Sequence, residues 1–350
     1  MSEDRAKAYT EAGVDINAGN SLVSRIKSIV ANTHTNGVIS DIGGFGGLFK
    51  PDLAGMDDPV LVSSTDGVGT KLKLAFQFNK HDTVGIDLVA MSVNDILVQG
   101  ARPLFFLDYF ATGKLDVDQA QQVIAGVAEG CRRSGCALLG GETAEMPDMY
   151  PPGEYDLAGF CVGIVDNEKI VDGSSIRVGD VIIGLSSSGL HSNGYTLARK
   201  LLEKSGLKDD DLVPGTDRTV KETLIAPTTI YVDVVRNIMR DFTIKGMVHV
   251  TGGGFYDNIP RVLPATVEAQ INFGSWTVPP VFQWLLAEGG LSWPEMLQIF
   301  NCGIGYILIV SAEAREDVMG RLNAMHQDAW VLGTIGRRRS KDSEQVQMQF

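Results

Sequence analysis

Apolar and polar positions along the chain alternate between two periods. Short apolar runs bounded by turn residues predict strands at residues 60–64, 104–111, 137–139 and 156–165. Between them, a period near 3.6 predicts helices at residues 83–99 and 117–132, and Gly100 closes the first. An earlier helix is expected where Leu22, Val23, Ile26, Ile29 and Val30 share one face, with Asn20 or Ser21 as its cap. The run from Ile42 to Phe49 is too rich in glycine for a regular element. After the turn cluster Asp172-Gly173-Ser174-Ser175 the pattern restarts, with strands at 181–185, 246–250, 266–273, 304–310 and 330–335 and helices at 195–203, 223–239 and 312–325. Strands alternating with helices predict a layered α/β (α+β) chain of two domains, residues 1–170 and 171–345. No repeat at solenoid spacing is present.

Composition narrows the function more than the fold. A chain of 350 residues, 44% hydrophobic and 21% charged, has the make-up of a globular protein large enough for two cores. Its formal net charge of -13 argues against nucleic acid as a partner, because phosphate backbones require a basic face. Small phosphorylated ligands stay open, since a bound cation and a few lysines invert the field locally. Cys131, Cys136, Cys161 and Cys302 form no metal-binding spacing and are expected to be reduced core thiols of a cytoplasmic protein. The polar start Met1-Ser2-Glu3-Asp4-Arg5 is unlike a signal peptide, and no apolar run approaches the ~20 residues of a membrane span.

The 40 glycines gather in short turns beside acids. Three acid clusters stand out: Asp66-Gly67-Val68-Gly69-Thr70-Lys71 after a strand, Asp87 with Asn94 and Asp95 in an apolar helix, and Gly140-Gly141-Glu142-Thr143. Carboxylates at the edge of a core imply a cation between them, and hard oxygen donors suit magnesium, which travels with nucleotide phosphates. In the helix, Asp87, Met91, Asn94 and Asp95 lie along one side. The alternative is a polar stripe facing water, but such stripes usually carry longer charged side chains. Asp66 to Lys71 is neither a P-loop nor a dinucleotide fingerprint. It nevertheless orders an acid, two glycines, a hydroxyl and a lysine as a metal and phosphate site would. Gly43, Gly44, Gly46 and Gly47 make a candidate phosphate-contacting lid, or a plain linker. His191, in the strand-to-helix loop Ser186 to Gly194, is a candidate phosphate ligand or proton carrier, or else a hydrogen-bonded structural residue. Lys27, at the margin of its helix's apolar face, is on its own residues a snorkelling lysine.

These motifs, together with Gly85-Ile86-Asp87-Leu88-Val89-Ala90-Met91-Ser92-Val93-Asn94-Asp95, Gly140-Gly141-Glu142-Thr143-Ala144-Glu145-Met146-Pro147 and His249-Val250-Thr251-Gly252-Gly253-Gly254, resemble the aminoimidazole ribonucleotide synthetase family of purine biosynthesis. The resemblance runs from Tyr9 to Gly336 and takes in Phe300-Asn301-Cys302-Gly303-Ile304-Gly305; the family usually has Ile at 250 and Met at 302. It implies a homodimer built by strands of the N-terminal domains, with ATP held nearby. It also implies a reaction in which ATP phosphorylates the formyl oxygen of formylglycinamidine ribonucleotide and a ring nitrogen then displaces phosphate. On that resemblance the candidate catalytic residues are His191, Asp66 and Lys27. The nucleotide would be met by Gly43, Gly44, Gly46, Gly47, Gly67, Gly69, Thr70, Lys71, Asn94 and Gly141, and magnesium by Asp66, Asp87, Asp95 and Glu142. The alternatives are another ATP-dependent phosphotransferase of the superfamily, such as a thiamine monophosphate kinase or selenophosphate synthetase, and a non-catalytic nucleotide-binding module.

Overall fold

The computed structural model describes residues 7–350, which divide into two compact units. Unit 1 takes residues up to Asp166 apart from Leu97–Gly100, and unit 2 takes Leu97–Gly100 and Asn167–Phe350. The division falls a few residues before the turn cluster at Asp172.

Unit 1 opens with helices α1 (Lys7–Glu11) and α2 (Ile16–Ala31) and continues with strand β1 (Pro59–Gly67). Helices α3 (Leu72–Phe78) and α4 (Val84–Val98), strand β2 (Arg102–Thr112), helix α5 (Val117–Ser134) and strands β3 (Ala137–Glu145) and β4 (Tyr155–Asp166) follow. The four strands form one sheet in the order β1-β4-β2-β3, antiparallel except for the β2–β3 pair. α2 starts earlier than the apolar pattern indicated, because Asp15 rather than Asn20 or Ser21 caps it, accepting from the N–H groups of Asn17 and Ala18. β3 is longer than expected and carries the whole Gly-Gly-Glu-Thr motif in extended form. A bulge opposite Phe106 and Leu107 shifts its register just before the glycines.

One sheet face is covered by helices. α4 presents Leu88, Val89, Ala90, Val93 and Leu97 with no exposure, and Asp87, Ser92 and Asn94 are equally buried. The helix is enclosed on nearly every side, so its polar residues form no solvent stripe. Its contact with β4 is close: a Cβ at Gly159 would meet Leu88 at 3.0 Å, and one at Gly163 would meet Ile96 at 2.6 Å. The other face is open, with Leu61 on β1, Phe160 on β4 and Tyr109 on β2 at 65%, 40% and 40% exposure.

Unit 2 holds strand β5 (Val181–Ser186), helices α6 (Tyr195–Ser205), α7 (Val220–Leu224) and α8 (Val232–Asp241), and strand β6 (Gly246–His249). Helix α9 (Gly254–Asn258), strand β7 (Val267–Asn272), helices α10 (Pro280–Gly289) and α11 (Trp293–Ile299) and strand β8 (Ile304–Val310) come next. Helix α12 (Arg315–Ala324) and strands β9 (Ala329–Arg337) and β10 (Val346–Gln349) complete it. Its sheet runs β10-β7-β9-β5-β8-β6, with every residue of β8 buried between β5 and β6. The single helix expected over 223–239 is two helices, because Pro227 cannot donate to a helix and disfavours helical backbone in the residue before it. The final strand β10 pairs with β7 in parallel, so the polar tail is ordered onto the sheet edge. All four cysteines are free and buried, as expected of core thiols.

Candidate active site

Unit 1 contains a cavity of about 490 Å³. Its walls are Val23, Ile26 and Val30 from α2, Ile124 from α5, and Leu107, Leu138 and Leu139 from β2 and β3. Over these apolar walls lie the loop Asp41 to Gly47 and the strand segment Gly140 to Thr143. Two groups singled out in the sequence, Gly43, Gly44, Gly46 and Gly47 on one side and Gly141 and Glu142 on the other, therefore meet although almost a hundred residues separate them.

Asp108 also lines this cavity and was missed in the sequence. It is 8% exposed, and burial pushes its carboxyl up to about 7. Gly141 pairs with it across β2–β3, and a Cβ there would stand 2.3 Å from the Asp108 carboxylate. Glycine at 141 is thus needed for the acid beside it. The signal was available: Asp108 is a lone acid at an inward position of the apolar strand Leu104-Phe105-Phe106-Leu107-Asp108-Tyr109-Phe110. Hydrogen-bond pairing across the sheet puts Asp66, Gly159, Asp108 and Gly141 in one rung on the helix-covered face. At two strand spacings, Asp66 and Asp108 are about 10 Å apart.

The second acid cluster does something else. Lys71 Nζ lies 2.9 Å from both carboxylate oxygens of Asp87, and neither side chain has any exposure. Burial lowers the lysine's pKa, and the Asp87 charge works against that shift. Lys71 and Asp87 were expected to serve phosphate and magnesium separately; in the structure they neutralise each other, and Asn94 is buried further along α4. Asp95 is half-buried and accepts from Ser64 Oγ at 3.4 Å. Asp66 accepts from the N–H of Gly67, while Gly69 and Thr70 are exposed in the short 3₁₀ turn that follows. Lys27 is exposed on α2, one turn beyond Val23 of the cavity wall. Among the described residues no three His, Cys, Asp or Glu side chains stand close enough together to hold a metal ion. The donors suit magnesium in kind, but they do not converge on one point.

In unit 2, His191 has no exposure and a left-handed backbone, φ 61°. Its Nε2 accepts from the Ser188 N–H at 3.2 Å, and its ring packs where a Cβ of Gly305 would lie, 2.3 Å from Cε1. The serines around it are bonded inward. Ser187 donates to Gly189 O, Ser188 to Pro227 O at 2.6 Å, and Ser192 Oγ lies 3.0 Å from Thr228 Oγ1. Asn301 binds Gly189 O and the Gly303 N–H. The imidazole is thus enclosed, and its Nε2 serves the Ser188 amide within the loop.

Comparison with known proteins places this geometry. Residues 52–165 match the N-terminal domain of AIR synthase related proteins and residues 177–344 match the C-terminal domain, and the chain belongs to that family. It is 81% identical over 350 residues, the full length of both chains, to the phosphoribosylformylglycinamidine cyclo-ligase of Nitratidesulfovibrio vulgaris. It is 63% identical over 346 residues, 99% of each chain, to that of Lawsonia intracellularis. Among solved structures, thiamine-monophosphate kinase from Stenotrophomonas maltophilia K279a gives a TM-score of 0.65 at 17% identity, covering 94% of this chain and 95% of that one. E. coli HypE gives 0.67 at 17% identity, covering 94% and 93%. At such identities these two share the fold.

Two predictions follow from the buried charges. Lys71→Met takes the lysine charge away from the buried Asp87 carboxylate and is expected to cost about 3–5 kcal/mol, most of it recovered in Lys71→Met/Asp87→Leu. Urea denaturation of both single variants and the double variant measures the coupling; strictly additive losses would show that the two groups act independently. For Asp108, the folded state binds a proton that the unfolded chain releases near pH 4, so its contribution to stability declines as pH rises from about 4 through about 7. Asp108→Asn is expected to gain stability on the wild type as pH is raised from 5 to 8, by at most about 3 kcal/mol, and its melting temperature to rise relative to that of the wild type. Parallel melting curves at every pH would contradict the shift.

Proposed function

We propose that this chain converts formylglycinamidine ribonucleotide and ATP to 5-aminoimidazole ribonucleotide, ADP and phosphate. The observation that carries the reading is 81% identity along the whole chain to a named cyclo-ligase. In the reaction, the formyl oxygen attacks the γ-phosphorus of ATP and ADP leaves. A substrate nitrogen then attacks the activated carbon, the C–O bond to phosphate breaks, and loss of a proton leaves the imidazole.

The chain's part is to hold these reactants and keep water from the activated intermediate. We assign ATP to the unit 1 cavity, between the glycine loop and Gly140 to Thr143. Lys27 is the cation placed to approach the triphosphate, since Lys71 is committed to Asp87. Magnesium, when bound, would neutralise the triphosphate charge. Asp66, Asp95 and Glu142 are its candidate ligands in chemistry, but their positions do not meet, and no step here is routed through it. His191 is retained as a positioning residue for the loop Ser186 to Gly194 on the formylglycinamidine ribonucleotide side of the reaction.

We further infer a homodimer formed through the open face of the unit 1 sheet. Thr65 and Phe160 are paired across β1 and β4, and Ala158 and Tyr109 share the next rung on β4 and β2. A sheet face this apolar is ordinarily covered. The net charge of -13 speaks against nucleic acid as a partner, and no helix among the described residues is long and apolar enough to cross a membrane. A cytoplasmic setting suits the free thiols.

ATP cleavage is expected only when formylglycinamidine ribonucleotide is present, with ring closure stoichiometric to phosphate release; cleavage with no dependence on that substrate would remove the cyclo-ligase reading. His191→Ala is expected to lower the melting temperature and the turnover together, because the Ser188 amide loses its acceptor, while affinity for a non-hydrolysable ATP analogue holds. A full-strength, equally stable variant would release His191 from any role. In sedimentation, the wild type is expected to run as a dimer at micromolar concentration and Phe160→Asp as a monomer; a stable, active wild-type monomer would overturn the interface.

A further inference from the structure

The glycine loop over the cavity carries one large side chain that the reaction scheme does not use. Its feet are tied down. Ile39 N–H donates to Leu48 O at 2.9 Å, Lys50 N–H to Gly37 O at 2.7 Å and Leu48 N–H to Ser40 Oγ at 2.9 Å, beside a β-bridge between Val38 and Phe49. Gly47 is jammed onto β3, where a Cβ would stand 2.4 Å from Leu139. Between these feet, residues 41–46 make no hydrogen bond to any other described residue. At their tip is Phe45, with 115% exposure.

Its immediate neighbours are glycines that crowding does not explain. A Cβ at Gly46 would meet nothing within 4 Å, one at Gly44 would meet only a backbone oxygen at 3.8 Å, and neither has a left-handed φ. What glycine supplies there is freedom of the backbone to swing. Across the cavity stands an aliphatic wall that includes Val23, Ile26, Ile124 and Leu138. A swinging aromatic ring opposite a flat aliphatic wall makes a slot for a planar heterocycle. Formylglycinamidine ribonucleotide is open-chain before closure, so the one aromatic ring among the reactants is the adenine of ATP.

We propose that Phe45 folds over the cavity and stacks on the adenine ring of ATP, pressing it against the α2 wall. The proposal rests on the assignment of ATP to this cavity. In this arrangement Phe45 recognises the base, and the loop glycines allow its approach.

The test compares binding of a non-hydrolysable ATP analogue and of inorganic tripolyphosphate, both with magnesium, to the wild type, Phe45→Ala, Phe45→Leu and Phe45→Trp. Phe45→Ala is expected to weaken the analogue by about tenfold, within the range of base–aromatic stacking, and to leave tripolyphosphate affinity unchanged. Phe45→Trp should keep tight binding and change its fluorescence with the analogue alone, whereas Phe45→Leu should bind like the alanine variant. Equal analogue affinity in wild type and Phe45→Ala would overturn the proposal, and rescue by leucine would overturn stacking. Equal losses for both ligands would show a loop that holds phosphates instead. A wild type that fails to bind the analogue at all would remove the ATP assignment itself.

Discussion

Unit 1 depends on one buried pair of charges. A lysine and an aspartate without solvent contact are tolerable only opposite each other, and Lys71 and Asp87 are in contact through both carboxylate oxygens. The pair joins the turn after β1 to the first turn of α4, so the helix cannot slide under the sheet without separating the charges. That register puts Leu88 and Ile96 against Gly159 and Gly163 of β4. It also leaves the rung Asp66, Gly159, Asp108 and Gly141 on the covered side, acids alternating with residues that have no side chain. Of the carboxylates expected to gather around one cation, Asp87 is therefore engaged by a lysine inside the core, while Asp66 and Asp108 lie along the rung.

Much of this architecture could be read from the sequence, because period and turn residues report local conformation. The strands 304–310 and 156–165 and the helix 117–132 are found within a residue or two of expectation. What failed depended on interactions that the pattern does not encode. β3 extends through Gly140 and Gly141 because β2 pairs with it in parallel past a bulge. The expected helix 223–239 breaks at Pro227, whose weight was underestimated, and α10 and α11 were missed among prolines, tryptophans and glycines that punctuate them.

The site was legible in parts but not as an assembly. The glycine loop and the Gly-Gly-Glu-Thr strand each stood out, yet only tertiary folding brings them to one cavity. Lys71 and Asp87 stood out in the sequence, but sequence spacing cannot show that the two charges are buried against each other. Asp108 was overlooked because one acid in an apolar strand reads as an edge residue until its neighbours are known. His191 occupies a left-handed position that a β-carbon makes costly, and its hydrogen bonds to the loop account for that conformation better than exposure to a ligand.

The cavity proposed for ATP in unit 1 is one that sequence-distant glycines share with an aliphatic helix face. Hydrogen exchange with and without a non-hydrolysable ATP analogue tests this most directly, because it reports on each segment of the unmodified protein. Protection is expected over residues 41–47 and 140–143, with the core of α4 unchanged because it is already protected. Saturating analogue that leaves both segments exchanging at their free rate would contradict the assignment.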